Sequence, residues 1–275
     1  MDLNTVNRYR FARSQADLHL ADGESFVAGG TWLFSEPQVE LTGVVDLMTM
    51  GWHPIEPTDG GLRIAATCTI AELVSYPRRP DWPAQHLFRE CANALLASFK
   101  IWNVATVGGN ICRSFAAASM VSLAVALDGV AEIWTPDGQT RWEPVADLVT
   151  GNGTNSLGRG EVMRALHLPE RALRATAALR TIALAEHGRS GAVVSGRRDD
   201  DGSAVFTVTA ATLAPTVFRY PEMPGAEALR SDVLAASGYY TDPLGSADWR
   251  QSVSGVLATE VRAEIRSHLE VRNAD

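Results

Sequence analysis

Two pairs of adjacent glycines are the residues best suited to chemistry. One lies in "FVAGGTWL" (Phe26 to Leu33) and the other in "IWNVATVGGNIC" (Ile101 to Cys112), each after an apolar run and before Thr or Asn. Glycine inside a strand or helix costs about 0.5–1 kcal/mol relative to alanine, so a doubled glycine there calls for a reason. Consecutive glycines let successive N–H groups converge on one point, a concave anion site with no side chain in the way, and phosphate is the usual occupant. Loops at Ala28–Trp32 and Thr106–Asn110, acting together, would hold a pyrophosphate, with the side chains of Thr31, Thr106 and Asn110 adding hydrogen bonds. A dinucleotide meets that geometry. Taken singly, each pair also suits a tight turn after a strand, because neither reads GxGxxG or a Walker loop.

Other chemistries find little support. The six histidines are scattered, with no HxxxH or HExxH, and no GxSxG is present. Cys68, Cys91 and Cys112 are widely spaced and form no CxxC, which points to tolerated or structural thiols. "RRDDDGS" lies between two strand-like runs and reads as a solvated hairpin turn. The net charge of −8 argues against nucleic acid, whose phosphates need clustered Lys and Arg. The first residues lack a basic segment followed by an apolar one, and no apolar run is long enough to span a bilayer, so a soluble cytoplasmic protein is expected.

The elements that must carry these glycines follow from the pattern. Residues 1–60 alternate short strands ("TVNRYRF", "SFVAG", "GVVDLM") with short helical pieces ("SQADLHLA", "GTWLFSE"), the pattern of a small parallel βαβ unit. In 61–169, "GLRIAAT" predicts a strand and "TIAELVS" a helix capped by Thr69. "WPAQHLFRECANALLAS" predicts a long amphipathic helix with Pro83 in its first turn. "AAASMVSLAVALDG" predicts a buried helix ending on a left-handed Gly129, "VAEIWTPDGQTRWEPV" a hairpin, "GNGTNSLGRGE" a loop, and "VMRALHLP" a strand. In 170–275, strands at "LRTIALA", "GAVVSGR" and "AVFTVTAATL" precede two helices. The last helix carries an apolar stripe of Trp249, Val253, Val256, Val261, Ile265 and Leu269.

The two glycine segments, about eighty residues apart and followed by an Ala-rich helix ending "ALDG", resemble the FAD-binding medium subunit of the molybdenum hydroxylases. This is the flavoprotein of the xanthine dehydrogenase and aerobic carbon monoxide dehydrogenase family. "LRIAATCTIAEL", "GRGEVMRALHLP" and "DPLGSADWRQSVSGVLATEVRAEI" are similar to further segments of that family in the same order. The resemblance implies an α+β fold: a PCMH-type FAD-binding domain of two α/β subdomains, as in vanillyl-alcohol oxidase-like flavoproteins, plus a C-terminal domain of small antiparallel sheet and helices. The corresponding boundaries are 1–60, 61–169 and 170–275.

It further implies that Ala28, Gly29, Gly30, Thr31 and Trp32, flanked by Val27 and Leu33, form the first phosphate loop, and that Thr106, Val107, Gly108, Gly109 and Asn110 form the second. Members of this family take electrons from [2Fe-2S] clusters in a small partner subunit, reduced in turn by a molybdopterin centre in a large one, in a dimer of heterotrimers. The flavin passes them to NAD, a quinone, oxygen or another acceptor. The chain would thus be an oxidoreductase subunit with no catalytic acid, base or metal ligand of its own. A flavin-binding assembly or scaffold subunit without turnover is the alternative, and a covalent flavin oxidase lacks both an attachment context and a substrate domain here. Four positions depart from the family pattern. Trp32 follows AGGT, Trp102 replaces an Arg, Ser119 stands where a carboxylate contacts the flavin nucleotide, and Gly191 stands where a Tyr approaches the flavin ring.

Overall fold

The computed structural model describes residues 3–272. Near the N-terminus, β1 (Arg8–Phe11), β2 (Glu24–Val27) and β3 (Gly43–Asp46) form a parallel sheet in the order β1-β3-β2. Parallel neighbours need crossovers. The first contains only the 3₁₀ turn Gln15–Leu18, closed by the Ser14–Asp17 capping box, and the second runs through 28–42. "GTWLFSE" is therefore a chain of turns and not a helical piece.

A second sheet is built from β4 (Ile55–Thr58), β5 (Gly61–Ala65), β6 (Val130–Trp134), β7 (Thr140–Pro144) and β10 (Val162–Pro169), in the antiparallel order β4-β5-β10-β6-β7. The short strands β8 (Val149–Gly151) and β9 (Thr154–Asn155) make a small hairpin that runs into the Gly-rich segment expected to be a loop. Between β5 and β6 run α1 (Ile70–Val74), α2 (Leu87–Ala94), α3 (Phe99–Trp102), α4 (Val107–Arg113) and α5 (Ser119–Ala126). α1 starts at Thr69 through the reciprocal Thr69–Glu72 capping box, a cap worth about 1 kcal/mol. The long helix expected from Trp82 onward is shorter: a 3₁₀ turn at Pro83–His86 leads into α2, and the chain leaves it where Leu96 takes φ +51°.

Every residue of α5 is buried, in one apolar core with Leu62, Ile64, Leu73, Leu87 and Ile111. Its last carbonyls are closed by Asp128 in the left-handed region (φ +50°), not by Gly129. Asp tolerates that conformation, and here its carboxylate is held by Arg197, Arg171 and Arg219. α6 (Val145–Leu148) and α7 (Glu170–Arg174) are single turns flanking the second sheet.

The C-terminal sheet is antiparallel, in the order β11-β12-β13-β14, with β11 (Thr176–Ile182), β12 (Ala192–Arg198), β13 (Ala204–Thr209) and β14 (Thr216–Tyr220). The fourth strand, "TVFRY", lies beyond the three read from the sequence. α8 (Ala226–Ala235) and α9 (Ala247–Arg272) cover one face, while α2 and α5 approach the other, which explains why β13 is buried at every position. α9 packs through Leu257, Ala258, Val261 and Ile265; Val256 lies off that stripe and is 47% exposed.

Two buried arginines fasten the sheet. Arg197 in β12 donates to Asp199 (2.8 Å) and Asp128 and to the Ala126 carbonyl, joining the end of α5 to β12. Arg250 in α9 donates to the carbonyls of Gly245, Gly191 and Ala210 and to Asp242, and lies over the Tyr240 ring. No helix among the described residues is long and apolar enough to cross a membrane.

Candidate flavin nucleotide site

The first glycine segment leaves β2 after the buried Val27, with Ala28 half-buried in the turn that follows. Gly29 is a true close approach: a Cβ there would lie 1.9 Å from the Val104 carbonyl oxygen, so only glycine lets this loop rest on the turn between α3 and α4. The two glycine segments are thus in contact. Gly30 adopts φ +65° and is covered by the Phe34 ring. Phe34 N–H donates back to the Gly30 carbonyl (2.8 Å) and Ser35 N–H to the Trp32 carbonyl (2.8 Å), closing two overlapping turns. The amides of Thr31, Trp32 and Leu33 lie within those turns and donate to no protein acceptor among the described residues. Three successive free amides are the donor set of an anion-binding nest.

The second segment is built differently from the expected loop. Val107, Gly108 and Gly109 are the first turn of α4, with Thr106 as its cap: Gly109 N–H donates to Thr106 Oγ1 (3.0 Å) and Asn110 N–H to the Thr106 carbonyl (3.0 Å). Val107 N–H donates to Cys68 (2.8 Å) and Gly108 N–H to Ala66 (2.9 Å). Those four amides are therefore already committed within the chain. Gly108 is needed for packing, since a Cβ would come 2.4 Å from that of Ala66, whereas Gly109 is exposed and touches only its own cap. Asn110 spends its Oδ1 on Met120 N–H (2.8 Å), fixing the start of α5, and keeps its Nδ2 free for other use among the described residues.

Downstream of α4 the chain is clasped by the β8–β9 hairpin. Asn155 donates to the Cys112 carbonyl (2.7 Å), Asn152 accepts from Ala116 N–H (3.0 Å), and Gly153 N–H donates to Ser114 (2.7 Å). This clasp presents Arg113 and Phe115 toward the first loop. The Arg113 guanidinium lies 3.8 Å from the Trp32 ring centre and 4.0 Å from that of Phe115, and the two rings meet edge to face at 6.1 Å. Trp32 thus stacks on a cation. Burial lowers the Arg113 pKa from its ordinary value, and no carboxylate among the described residues pairs with it.

The remaining departures fall in several places. Ser119 is the first residue of α5 and 1% exposed, and its Oγ has no protein partner. Trp102 ends α3 half-buried against the main core, with a buried Nε1 that has no acceptor. Gly191 packs beneath Trp249, where a Cβ would come 2.4 Å from the indole, so a tyrosine has no room there. Arg113 and Phe115 are the site residues that the sequence reading passed over. The signal was present in "RSF", a cation and an aromatic residue closing an otherwise apolar turn.

The donor set suits an anionic group. A nest of three free amides beside an unpaired guanidinium is the chemistry that binds phosphate, and aromatic faces suit the planar rings of a nucleotide. FAD fits these residues at the first loop, while the second segment offers it Asn110 Nδ2 and the open face of Gly109.

Comparison with known proteins agrees. Residues 12–171 match the family described as the FAD binding domain in molybdopterin dehydrogenase. The xanthine dehydrogenase FAD-binding subunit of Escherichia coli O157:H7 is 36% identical over 112 residues, which are 40% of this chain and 37% of that protein. The alignment thus spans well under half the length of that curated relative. The fold is similar to quinoline 2-oxidoreductase from Pseudomonas putida 86, with a TM-score of 0.80 at 19% identity, covering 95% of this chain and 97% of that one. It is also similar to the reconstituted CO dehydrogenase from Oligotropha carboxidovorans, with a TM-score of 0.79 at 20% identity, covering 93% and 97%. The matched segment contains both glycine segments and the clasp around Arg113, and it is more than half of the sequence. The chain belongs to the family of FAD-binding domains of molybdopterin dehydrogenases.

Proposed function

We propose that this chain is the FAD-carrying electron-transfer subunit of a molybdopterin-dependent dehydrogenase or hydroxylase complex. It would receive electrons from [2Fe-2S] clusters of a small subunit and pass them to an external acceptor, with substrate oxidised in a large molybdopterin subunit. A dimer of such heterotrimers in the cytoplasm is the expected assembly. The observation that carries this reading is the nest at Thr31, Trp32 and Leu33, seated directly on the second glycine segment in a chain of this family.

The chain's own part is binding and orientation. The Thr31, Trp32 and Leu33 amides would hold the FAD phosphates, with Val27, Ala28, Gly29 and Gly30 shaping the approach. Thr106, Val107, Gly108 and Gly109 would act by fixing α4, and Asn110 and Ser119 would offer side-chain hydrogen bonds along α5. When bound, FAD supplies one- and two-electron redox chemistry, and the protein supplies position and electrostatics. No side chain is assigned as general acid or base.

The test is anaerobic addition of the complex's substrate to the chain purified with its partners, followed by the flavin absorbance. Bleaching of the flavin band supports the reading; a flavin-free complex that still turns over refutes it. The committed amides at 107–110 favour one second reading, a flavin-binding scaffold without turnover, in which flavin is present but never bleaches.

A further inference from the structure

We propose that Arg113 is a phosphate-binding residue of this chain, a side-chain cation that supplies anion affinity which the committed amides at 107–110 do not. The inference rests on the FAD reading above and adds to it a residue and a charge.

Three observations converge on it. First, the four amides at 107–110 are spent on Cys68, Ala66 and Thr106, which leaves Thr106 N–H as the one uncommitted main-chain donor of the Thr106–Asn110 loop among the described residues. Second, Arg113 ends the same helix and is locked between Trp32, which belongs to the free-amide turn, and Phe115. Contacts with two rings at 72° to each other restrain the guanidinium beside the first loop. Third, the guanidinium is under-used. Nε is buried without an acceptor, Nη1 makes one long contact with the Gly153 carbonyl (3.4 Å), and Nη2 has no hydrogen bond among the described residues.

A half-buried guanidinium in a chain of net charge −8, with no carboxylate beside it, is a costly arrangement unless an anion completes it. The anion nearest to hand is the one the Thr31–Leu33 amides are arranged to receive. Trp32 then holds the cation against the phosphate loop, which explains an aromatic residue at a position where bulk would otherwise obstruct the site.

The test is binding to the full chain stripped of flavin, comparing FAD, riboflavin, ADP and inorganic pyrophosphate on the wild type and on Arg113→Gln. Losing one charged hydrogen-bonded contact should weaken FAD and ADP about ten- to hundredfold while leaving riboflavin, which has no phosphate, unchanged. Pyrophosphate should raise the Tm of the wild type and not that of the variant. Equal weakening of riboflavin would mean that the charge acts on the ring, and unchanged FAD affinity would mean that Arg113 is only packing; either overturns the proposal.

Should Arg113→Gln not fold, the salt dependence of the wild type decides. FAD affinity must fall steeply with ionic strength while riboflavin affinity stays flat, and two flat lines overturn the proposal. A wild-type chain that binds neither FAD nor pyrophosphate overturns the flavin reading and this inference together. One that binds FAD with the same affinity as its variant overturns this inference alone.

Discussion

Gly108 and Gly109 are neighbours in sequence and in the same turn of α4, yet replacing each with alanine should have unequal consequences. At Gly108 a Cβ would sit 2.4 Å from Ala66 Cβ, 2.7 Å from Ala66 Cα and 2.8 Å from its carbonyl oxygen. Two of these atoms are backbone at the end of β5 and cannot swing aside. Helix α4 must back away, stretching the Gly108 and Val107 amide bonds to Ala66 and Cys68. Overpacking of this kind costs about 1–3 kcal/mol. At Gly109 the only close atom is Thr106 Oγ1, at 2.8 Å. Disturbing that cap costs about 1 kcal/mol, and alanine in place of glycine in a helix returns about the same.

Thermal unfolding by circular dichroism checks both variants. With an unfolding entropy of about 2.1 cal/mol/K per residue, Gly108→Ala should lower Tm by about 2–5 °C in a chain of this length, and Gly109→Ala should leave it within about 2 °C. Equal losses in the two variants, or a harmless Gly108→Ala, would refute the close contact of α4 with Ala66 and with it the packing role of Gly108.

Three further predictions concern the rest of the fold. Arg197→Met should cost about 3–5 kcal/mol by urea unfolding because it strips a partner from two buried carboxylates, whereas Arg219→Met, at a half-exposed partner of Asp128, should cost less than about 1 kcal/mol. The hydrogen bond from Arg10 brings the Glu24 carboxyl down to about 2; Glu132, raised by burial, is brought to about 2 by hydrogen bonds from His167 and Arg63. Carboxyls depressed in the folded state contribute stability that is full above the unfolded value of about 4.5 and lost as pH falls toward 2, so acid unfolding should concentrate in that window and Glu24→Gln should flatten it. Burial pushes the Cys68 and Cys112 thiols up to about 12 and raises Cys91 as well, so a thiol reagent at pH 8 should label none in the native chain and all three in denaturant.

Much of the scaffold was legible because its signals are local. Thr69 with Glu72 announces α1, Pro-Asp-Gly announces the β6–β7 turn, and an unbroken run of small apolar residues announces a helix buried on all sides. What escaped the sequence depends on contacts between distant segments. Asp128 takes the left-handed position beside an available Gly129 because arginines from β12, β14 and α7 hold its carboxylate there, and no local rule contains them. Periodicity placed Val256 on the buried stripe of α9, but the sheet and α8 cover the face one residue on, through Leu257 and Ala258.

The site divides in the same way. Gly29 and Gly30 are at a tight turn, as their spacing indicates, and their nest follows from backbone geometry. The resemblance of "VGGN" to that device concealed a different use, because the acceptors for Val107 and Gly108 lie on Cys68 and Ala66, some forty residues earlier in the chain. For Arg113 the sequence held only a partial signal, the cation and aromatic residue of "RSF". Its other partner, Trp32, joins Phe115 beside it only when the first loop folds over the second.

The most direct measurement is an experimental structure of the chain with FAD bound. Phosphate oxygens should lie within hydrogen-bond distance of the Thr31, Trp32 and Leu33 amides, with the Val107 and Gly108 amides still bonded to Cys68 and Ala66. A diphosphate seated instead on the amides of 107–110, with those intrachain bonds broken and the first loop empty, would contradict the assignment of the phosphate site to the first loop.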